Sequence, residues 1–288
     1  MKKLLAGLFL FVSLSSQAAF LNDGWDWEAR RWLTNITASS GTISGGSYMT
    51  GTRFLNQIKQ WGVRPRIGRA NLYLGDQTNA MLCPIIIDWR GANPDINDDL
   101  IAFVSTNYSE ATGLTGNTSS KYLRPSKGTG MGIANFTGID SIHEAVYVRT
   151  GSDQSGVVMG SVSGGNALQD FLVSYAGTTY SRFCSAANSA STADASGKGF
   201  YCSTRTATNS RVVYKNGSAL ITSTISAGGV LGPAFEVVHA QNNGGTVGQY
   251  TDRTLSYYGY GFGISASIQG PYRVAVRNVQ VAKGRNVE

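Results

Sequence analysis

The stretch RVVYKNGS, residues 211–218, carries the clearest fold signal in the chain. Asn216 and Gly217 form a pair that readily supplies the two positive φ values of a type I′ turn, so the stretch predicts a strand that ends in a tight β-hairpin. Further strand-like runs recur on both sides at the short intervals typical of a β-sandwich. These runs are residues 72–74, 81–87, 101–104, 121–123, 143–149, 157–162, 170–175, 179–185, 200–204, 211–214, 235–240 and 253–260.

The composition favours the same fold class. The chain has 36 glycines and 14 tyrosines, and only 14% of its residues are charged, which is typical of short strands joined by tight turns. A hydrophobic content of 42% is enough to build a core and excludes a disordered chain. The sequence therefore predicts an all-β fold over most of its length.

The N-terminus has the features of a signal peptide. A basic start is followed by an apolar run over residues 4–14 and by small residues at Ser16 and Ala18. That run is too short to cross the roughly 30 Å of a bilayer's hydrocarbon core. We therefore expect a cleaved signal peptide over residues 1–18, no membrane span in the mature chain, and a secreted, periplasmic or cell-surface location.

Helical spacing appears at both ends of the mature chain. Apolar residues recur with a helical period over residues 25–37 and 48–61, which predicts a helical preface over residues 19–64 ahead of a sandwich over residues 65–288. Residues 271–283 repeat the pattern, although their valines favour a strand by intrinsic propensity.

Net charge and cysteine content indicate which partners and which redox environment suit the chain. The formal net charge of +7 falls to about +5 without Lys2 and Lys3, and no dense Lys/Arg block suggests a nucleic-acid partner. Cys184 and Cys202 lie near the facing ends of two predicted strands, and a disulfide between them would close a loop of roughly 18 residues. Cys83 is expected to be a small buried hydrophobe.

Several segments resemble one protein family when they are taken in their order along the chain. They are residues 54–63, 69–74, 107–117 (NYSEATGLTGN), 120–123 (SKYL), 214–217 (YKNG), 252–261 (DRTLSYYGYG) and 283–287 (KGRNV). Together they are similar to concanavalin A-like, laminin-G-like jelly-roll proteins of phage and bacteria, of the structural or tail-associated type. The resemblance implies the jelly-roll fold, a C-terminal helix and a virion or cell-surface setting. It implies no catalytic residues, and the signal peptide is unusual for a virion protein.

Residues suited to catalysis are sparse. His143 and His239 each lie alone in an apolar run, where a histidine is usually a satisfied face residue. The paired acids that sandwich glycosidases carry on one strand do not occur here. The strongest enzymatic alternative is a polysaccharide lyase-like sandwich, for which Arg149, His239, Gln241 and Tyr257 would have to converge.

One acidic segment has the spacing of a cation site. Asp95, Asn97 and Asp99 present alternating oxygen ligands of the kind that Ca²⁺ binds, although the segment lacks the glycine and the distal glutamate of an EF-hand loop. A solvated turn and a structural Ca²⁺ site both remain open, and no other cofactor is expected.

Aromatic residues near the C-terminus are the remaining functional clue. On a period of two, Tyr258 and Tyr260 share one face of a strand and Tyr257 lies on the other. The segment with Asn242 and Asn243 predicts a polar loop beside them. With Arg149 and His239, these residues form a candidate glycan-binding set.

The sequence as a whole favours an exported, non-catalytic jelly roll for adhesion or assembly, with glycans or a cell-surface polymer as partners. The main alternative is a secreted polysaccharide-active enzyme. A purely structural subunit that assembles as a homo-oligomer is the third possibility.

Overall fold

The computed structural model describes residues 27–87, 97–125, 140–150, 156–162, 168–183, 190–226 and 236–288. The predicted signal peptide lies outside these residues and stays a prediction. Within the described ranges, no helix is long and apolar enough to cross a membrane.

Strands dominate the described part of the chain, which contains eighteen of them. In chain order they are β1 (Ile67–Asn71), β2 (Ile86–Ile87), β3 (Asp99–Ile101), β4 (Tyr108–Ser109), β5 (Gly113–Thr115), β6 (Tyr122–Arg124), β7 (Ile142–Val148), β8 (Met159–Val162), β9 (Leu168–Tyr175), β10 (Thr178–Phe183), β11 (Ala190–Ala193), β12 (Gly199–Ala207), β13 (Ser210–Lys215), β14 (Ser218–Ser223), β15 (Val237–Val238), β16 (Gln241–Asn243), β17 (Thr246–Gly248) and β18 (Thr254–Gly261).

The strands form two sheets. Sheet 1 has the order β14-β13-β12-β7-β18-β1-β2, with β5 paired to β18 and β4 to β5. Sheet 2 has the order β11-β10-β9-β8-β15-β6-β3, with β16 paired to β8 and β17 to β16. The β16–β8 pair is parallel, and every other pairing among the described residues is antiparallel.

The predicted hairpin is confirmed. β13 and β14 pair antiparallel, with Lys215 opposite Ser218. The two turn residues between them, Asn216 and Gly217, have φ angles of 49° and 82°. Both values are positive, as a type I′ turn requires.

Four helices and two 3₁₀ turns complete the described part of the chain. The helices are α1 (Trp27–Ala38), α2 (Gly45–Gln60), α3 (Thr78–Met81) and α4 (Ala266–Ala282), and the 3₁₀ turns are Arg64–Arg66 and Ser105–Asn107. The N-terminal and C-terminal helices are thereby confirmed. In α4 the buried residues Tyr272, Ala275, Val276 and Val279 share one helical face, so packing outweighs the strand propensity of its valines.

The molecule has three layers, with sheet 1 in the middle. One core joins α1, α2 and α4 to one face of sheet 1, through residues such as Phe54, Tyr257 and Val276. A second core joins the other face of sheet 1 to sheet 2, through residues such as Tyr258 and Phe171. The two sheets thus face each other as in a β-sandwich, and the helical preface shares a core with sheet 1.

The predicted disulfide is not found. Cys202 is a free, fully buried thiol in the core between sheet 1 and the helices, whereas β10, the strand that precedes residue 184, belongs to sheet 2. The two predicted strands therefore lie in different sheets, and Cys202 points away from sheet 2. Cys184 itself lies outside the described residues. Cys83 is buried as expected, and this burial raises the pKa of its thiol to about 11.

Candidate functional site

The three predicted glycan-binding tyrosines lie in the interior. Tyr257 is fully buried against the helices, and its hydroxyl lies 2.5 Å from that of Tyr272. Tyr258 and Tyr260 are fully buried between the sheets. Their rings therefore present no surface to a sugar, and this part of the predicted site is wrong, because both faces of sheet 1 are covered.

The polar members of the predicted set are also separated. Asn242 is fully buried and accepts a hydrogen bond from the Gly245 N–H at 3.0 Å, whereas Asn243 is exposed near the tip of the β16–β17 hairpin. Arg149 is half-buried and donates to the carbonyl oxygens of Ala111 and Thr112 at 3.0 and 3.1 Å. These residues do not form one surface with the tyrosines.

The surroundings of His239 do not suit a general base. It is fully buried, its ring packs edge-on to Phe103, and its φ of 70° is rare for a side chain of this size. Burial lowers the pKa of His239 to about 3, so the ring stays neutral at physiological pH. Tyr257 lies on the opposite side of sheet 1, against the helices, so the lyase-like set does not converge.

The predicted Ca²⁺ ligands that can be followed have protein partners. Asn97 donates to the Ser39 hydroxyl, and Asp99 pairs with Arg124 at 2.5 Å. Asp95 lies outside the described residues. Within the described part of the chain, no group of three or more His, Cys, Asp or Glu side chains is placed to hold a metal ion.

A buried ionic cluster surrounds Asp98, a residue that the sequence analysis did not single out. Arg69 donates to the Asp98 carboxylate from Nε at 3.1 Å and from Nη2 at 2.7 Å, and the Tyr258 hydroxyl donates at 2.7 Å. Asn71 donates to the same carboxylate at 2.8 Å. Burial raises the pKa of Tyr258, and the charge of Asp98 raises it further, so the phenol remains a hydrogen-bond donor. All four side chains are buried, so this cluster is structural.

An open polar pocket lies on the surface where the chain leaves β1. Its volume is about 290 Å³. Its lining residues come from the segment just before α3, from α3 itself, from the 3₁₀ turn at Ser105 and from β4; they are Asp76, Gln77, Thr78, Asn79, Ser105 and Tyr108. They present one carboxylate, two amides, two hydroxyls and one aromatic ring. This site was not predicted from the sequence.

The aromatic wall of the pocket is held in place from behind. The Tyr108 hydroxyl donates to the Gly75 carbonyl at 2.7 Å, and the Gly75 N–H donates to Glu110 at 2.9 Å. Gly75 has a φ of 126°, and a Cβ atom there would lie 2.4 Å from the Cβ of Ala80, so only glycine fits. Burial, followed by the charge of Glu110, raises the pKa of Tyr108 and keeps its hydroxyl protonated.

The C-terminal tail supports the same segment. Arg285 is fully buried and donates to the backbone carbonyls of Leu72 at 2.5 Å, Tyr73 at 3.1 Å and Glu110 at 2.9 Å. Desolvation lowers the pKa of Arg285 to about 10, which still leaves it charged at neutral pH. Lys283 reaches Glu110 at 3.1 Å. Hydrogen bonds and an ion pair from the C-terminal tail therefore hold the wall of the pocket in place.

Comparisons with known proteins give no family. No family model matches the chain, and no curated protein matches it. A sialidase mutant of Trypanosoma rangeli displaying trans-sialidase activity is 10% identical, with a TM-score of 0.47, over 82% of this chain and 39% of that one. The binding domain of botulinum neurotoxin serotype D is 11% identical, with a TM-score of 0.46, over 77% of this chain and 52% of that one.

A third similar structure is the K499G mutant of NanB sialidase from Streptococcus pneumoniae, which is 12% identical with a TM-score of 0.35. It is matched over 55% of this chain and 28% of that one. The chain spans about half or less of the length of each of these proteins. At such identities and TM-scores, these likenesses assign neither a family nor an activity to this chain.

Proposed function

We propose that this chain is an exported, non-catalytic sandwich of the concanavalin A-like jelly-roll type that contacts carbohydrate in adhesion or assembly. The observation that carries the proposal is the polar pocket of Asp76, Asn79 and Tyr108 with its neighbours. Sugars offer hydroxyl groups to polar side chains and C–H faces to aromatic rings, and the pocket supplies partners for both.

The size and charge of the pocket define the sugar it would take. Its volume of about 290 Å³ is at the small end of ligand pockets, which suits one sugar unit better than a long stretch of polymer. Asp76 is its only charged lining residue among those that the structure describes, and none is basic. Neutral or amino sugars therefore fit it, whereas sugars that carry a carboxylate would be repelled.

The enzymatic alternative finds less support. A retaining or inverting glycosidase needs two carboxyl groups on either side of the reacting bond. Asp76 is the single carboxylate among the residues that line the pocket, and Glu144, Glu236 and Asp98 are buried elsewhere. The separation of Tyr257 from His239 likewise argues against a lyase-like centre.

A glycan array read beside a turnover assay tests the proposal. We expect the full chain to bind glycans that end in neutral or amino sugars, to bind sialylated or uronate-terminated glycans weakly, and to release no product. Asp76→Ala and Tyr108→Ala should each weaken binding about tenfold, which is the effect of losing roughly 1.4 kcal/mol.

Two control variants keep the test specific to the pocket. Ser191→Ala changes an exposed polar residue on β11, and Tyr122→Ala removes a half-exposed ring on β6, both in sheet 2. Neither should change binding. Product release would establish an enzyme instead, and equal losses in Tyr122→Ala and Tyr108→Ala would contradict the pocket. Absence of both binding and turnover would favour a structural subunit.

A further inference from the structure

Positive charge is concentrated in the helical layer. Residues 27–66 and 266–288, which contain α1, α2 and α4, hold ten basic and two acidic residues. Residues 67–265, which contain the strands, hold twelve basic and thirteen acidic residues. All of the mature chain's excess positive charge therefore belongs to one layer of the molecule.

The side chains of the two acidic residues of this layer are buried. Glu28 is buried and pairs with Lys59 at 2.7 Å and with Arg64 at 2.5 Å. The side chain of Glu288 is only 3% exposed and pairs with Arg273 at 2.7 Å and with the partly exposed Arg277 at 3.5 Å. The outward side of the layer therefore keeps basic side chains without exposed carboxylates among the residues described.

Exposed apolar side chains gather in the same layer. Of the four large hydrophobic residues that are exposed in the described part of the chain, three belong to it: Trp27 (58% exposed), Val274 (36%) and Val281 (51%). Val274, Arg277 and Val281 are spaced by three and four residues, so they lie along one stripe of α4. That stripe faces away from the buried side that packs on sheet 1.

A groove runs between α2 and α4 next to that stripe. Its volume is about 290 Å³, and it includes the side chains of Phe54, Val279 and Val281. Arg53 lines the groove from α2 and is exposed. Basic and apolar side chains are thus interleaved along α2 and α4, on a surface that we name the helical face: Arg53, Val274, Arg277 and Val281.

We propose that the helical face docks on an anionic lipid surface. Arginine side chains keep their charged ends at the level of lipid headgroups, and valine gains from contact with the apolar phase beneath. A soluble polyanion would pair with the arginines but would leave the exposed valines unexplained. This docking does not depend on the sugar pocket, which involves other residues.

Vesicle binding by the full chain tests the proposal. We expect the chain to bind phosphatidylcholine vesicles that contain phosphatidylglycerol, and to bind pure phosphatidylcholine vesicles much more weakly. The double variant Arg53→Gln/Arg277→Gln should weaken the partition coefficient about thirtyfold. Val281→Ser should weaken it about fivefold, because the valine no longer contributes apolar contact.

A matched control separates this face from net charge. Lys121→Gln/Lys198→Gln removes the same number of charges from the sheet region, and it should change the partition coefficient by about twofold or less. Thermal unfolding of each variant verifies that it folds. Equal losses in the two double variants would overturn the proposal, as would unchanged binding by Val281→Ser. Binding to dextran sulfate without binding to anionic vesicles would replace the lipid surface with a soluble polyanion.

Discussion

On the helix-facing side of sheet 1, the rings of Phe200 and Tyr257 pack against the ring of Tyr272 from α4. On the other side of the same sheet, Arg69 and Tyr258 surround the carboxylate of Asp98. In the first core the Phe200 and Tyr272 ring centroids lie 5.3 Å apart, and Tyr257 and Tyr272 share a hydrogen bond between two neutral hydroxyls. In the second, the contacts around Asp98 are charge-assisted and fully buried. One sheet therefore has an aromatic core on one face and a partly ionic core on the other.

The difference lies in how strictly each core specifies the pairing of strands. Arg69 lies opposite Tyr260 and Asn71 lies opposite Tyr258 in the β1–β18 pair. Because side chains alternate between the two faces, a slip of one residue would move Arg69 into the aromatic core, where its charge would have no carboxylate. We infer that the ionic cluster specifies the register of β1 and β18, while the aromatic core mainly supplies buried area.

Replacing Asp98 should have the largest effect on this comparison. Asp98→Asn keeps the size of the side chain and removes the charge that the buried Arg69 guanidinium faces. We expect the free energy of unfolding to fall by about 3–5 kcal/mol, because a buried ion pair that loses one partner leaves a costly charge behind. Urea unfolding followed by circular dichroism measures the change.

The neighbouring acid provides the control. Asp99 pairs with Arg124, and both side chains are partly exposed, at 23% and 22%. Asp99→Asn should therefore cost about 1 kcal/mol or less. If the two substitutions cost the same, the cluster around Asp98 does not carry the role assigned to it.

Much of the secondary structure could be predicted from local patterns. The Asn216-Gly217 turn needs only its own two residues, and the helix stripe of Tyr272, Ala275 and Val279 depends only on spacing within one segment. The proposed Cys184–Cys202 disulfide failed for the opposite reason. It required knowing that β10 and β12 belong to different sheets, and no local pattern carries that information.

The candidate site was harder to predict because burial depends on which layers cover a sheet. Period-two alternation correctly separates Tyr257 from Tyr258 and Tyr260, but it does not show that helices cover one face and a sheet covers the other. Asp98 and Asp99 are adjacent acids, and only the folded chain distinguishes the buried one from the partly exposed one. The pocket at Asp76 likewise needs a turn and a 3₁₀ segment that are distant in sequence.

Acidification should weaken both cores through their single histidines. His143 packs on Tyr272 beside the helices, and His239 contacts Phe103 on the side of sheet 2. Burial lowers the pKa of His143 to about 4 and that of His239 to about 3, against 6.5 in the unfolded chain. The unfolded chain therefore takes up protons first as the pH falls, so stability is full above about pH 6.5 and decreases below it.

The expected loss is about 1.4 kcal/mol per pH unit for each histidine, or about 3 kcal/mol in total between pH 7.5 and pH 5.5. Unfolding free energies measured between pH 7.5 and about pH 4.5 test this. His143→Gln and His239→Gln should each reduce the slope by about half. Below that window the lowered pKa values of Glu28 and Glu110 add a further loss as those carboxylates become protonated. A slope that persists in the double variant would contradict this origin.

The smallest predicted effect compares two adjacent tyrosines on opposite faces of β18. Tyr258→Phe removes a donor from the Asp98 carboxylate and an acceptor from Arg69 Nε at 3.2 Å, so we expect a loss of about 2 kcal/mol. Tyr257→Phe removes one neutral hydrogen bond with Tyr272, and we expect about 1 kcal/mol. Both substitutions delete a single oxygen atom from a fully buried ring, so the difference in their unfolding free energies isolates the ionic character of one core. If Tyr257→Phe lowers the unfolding free energy more than Tyr258→Phe does, the ionic cluster is not the core that specifies the strand register more strictly.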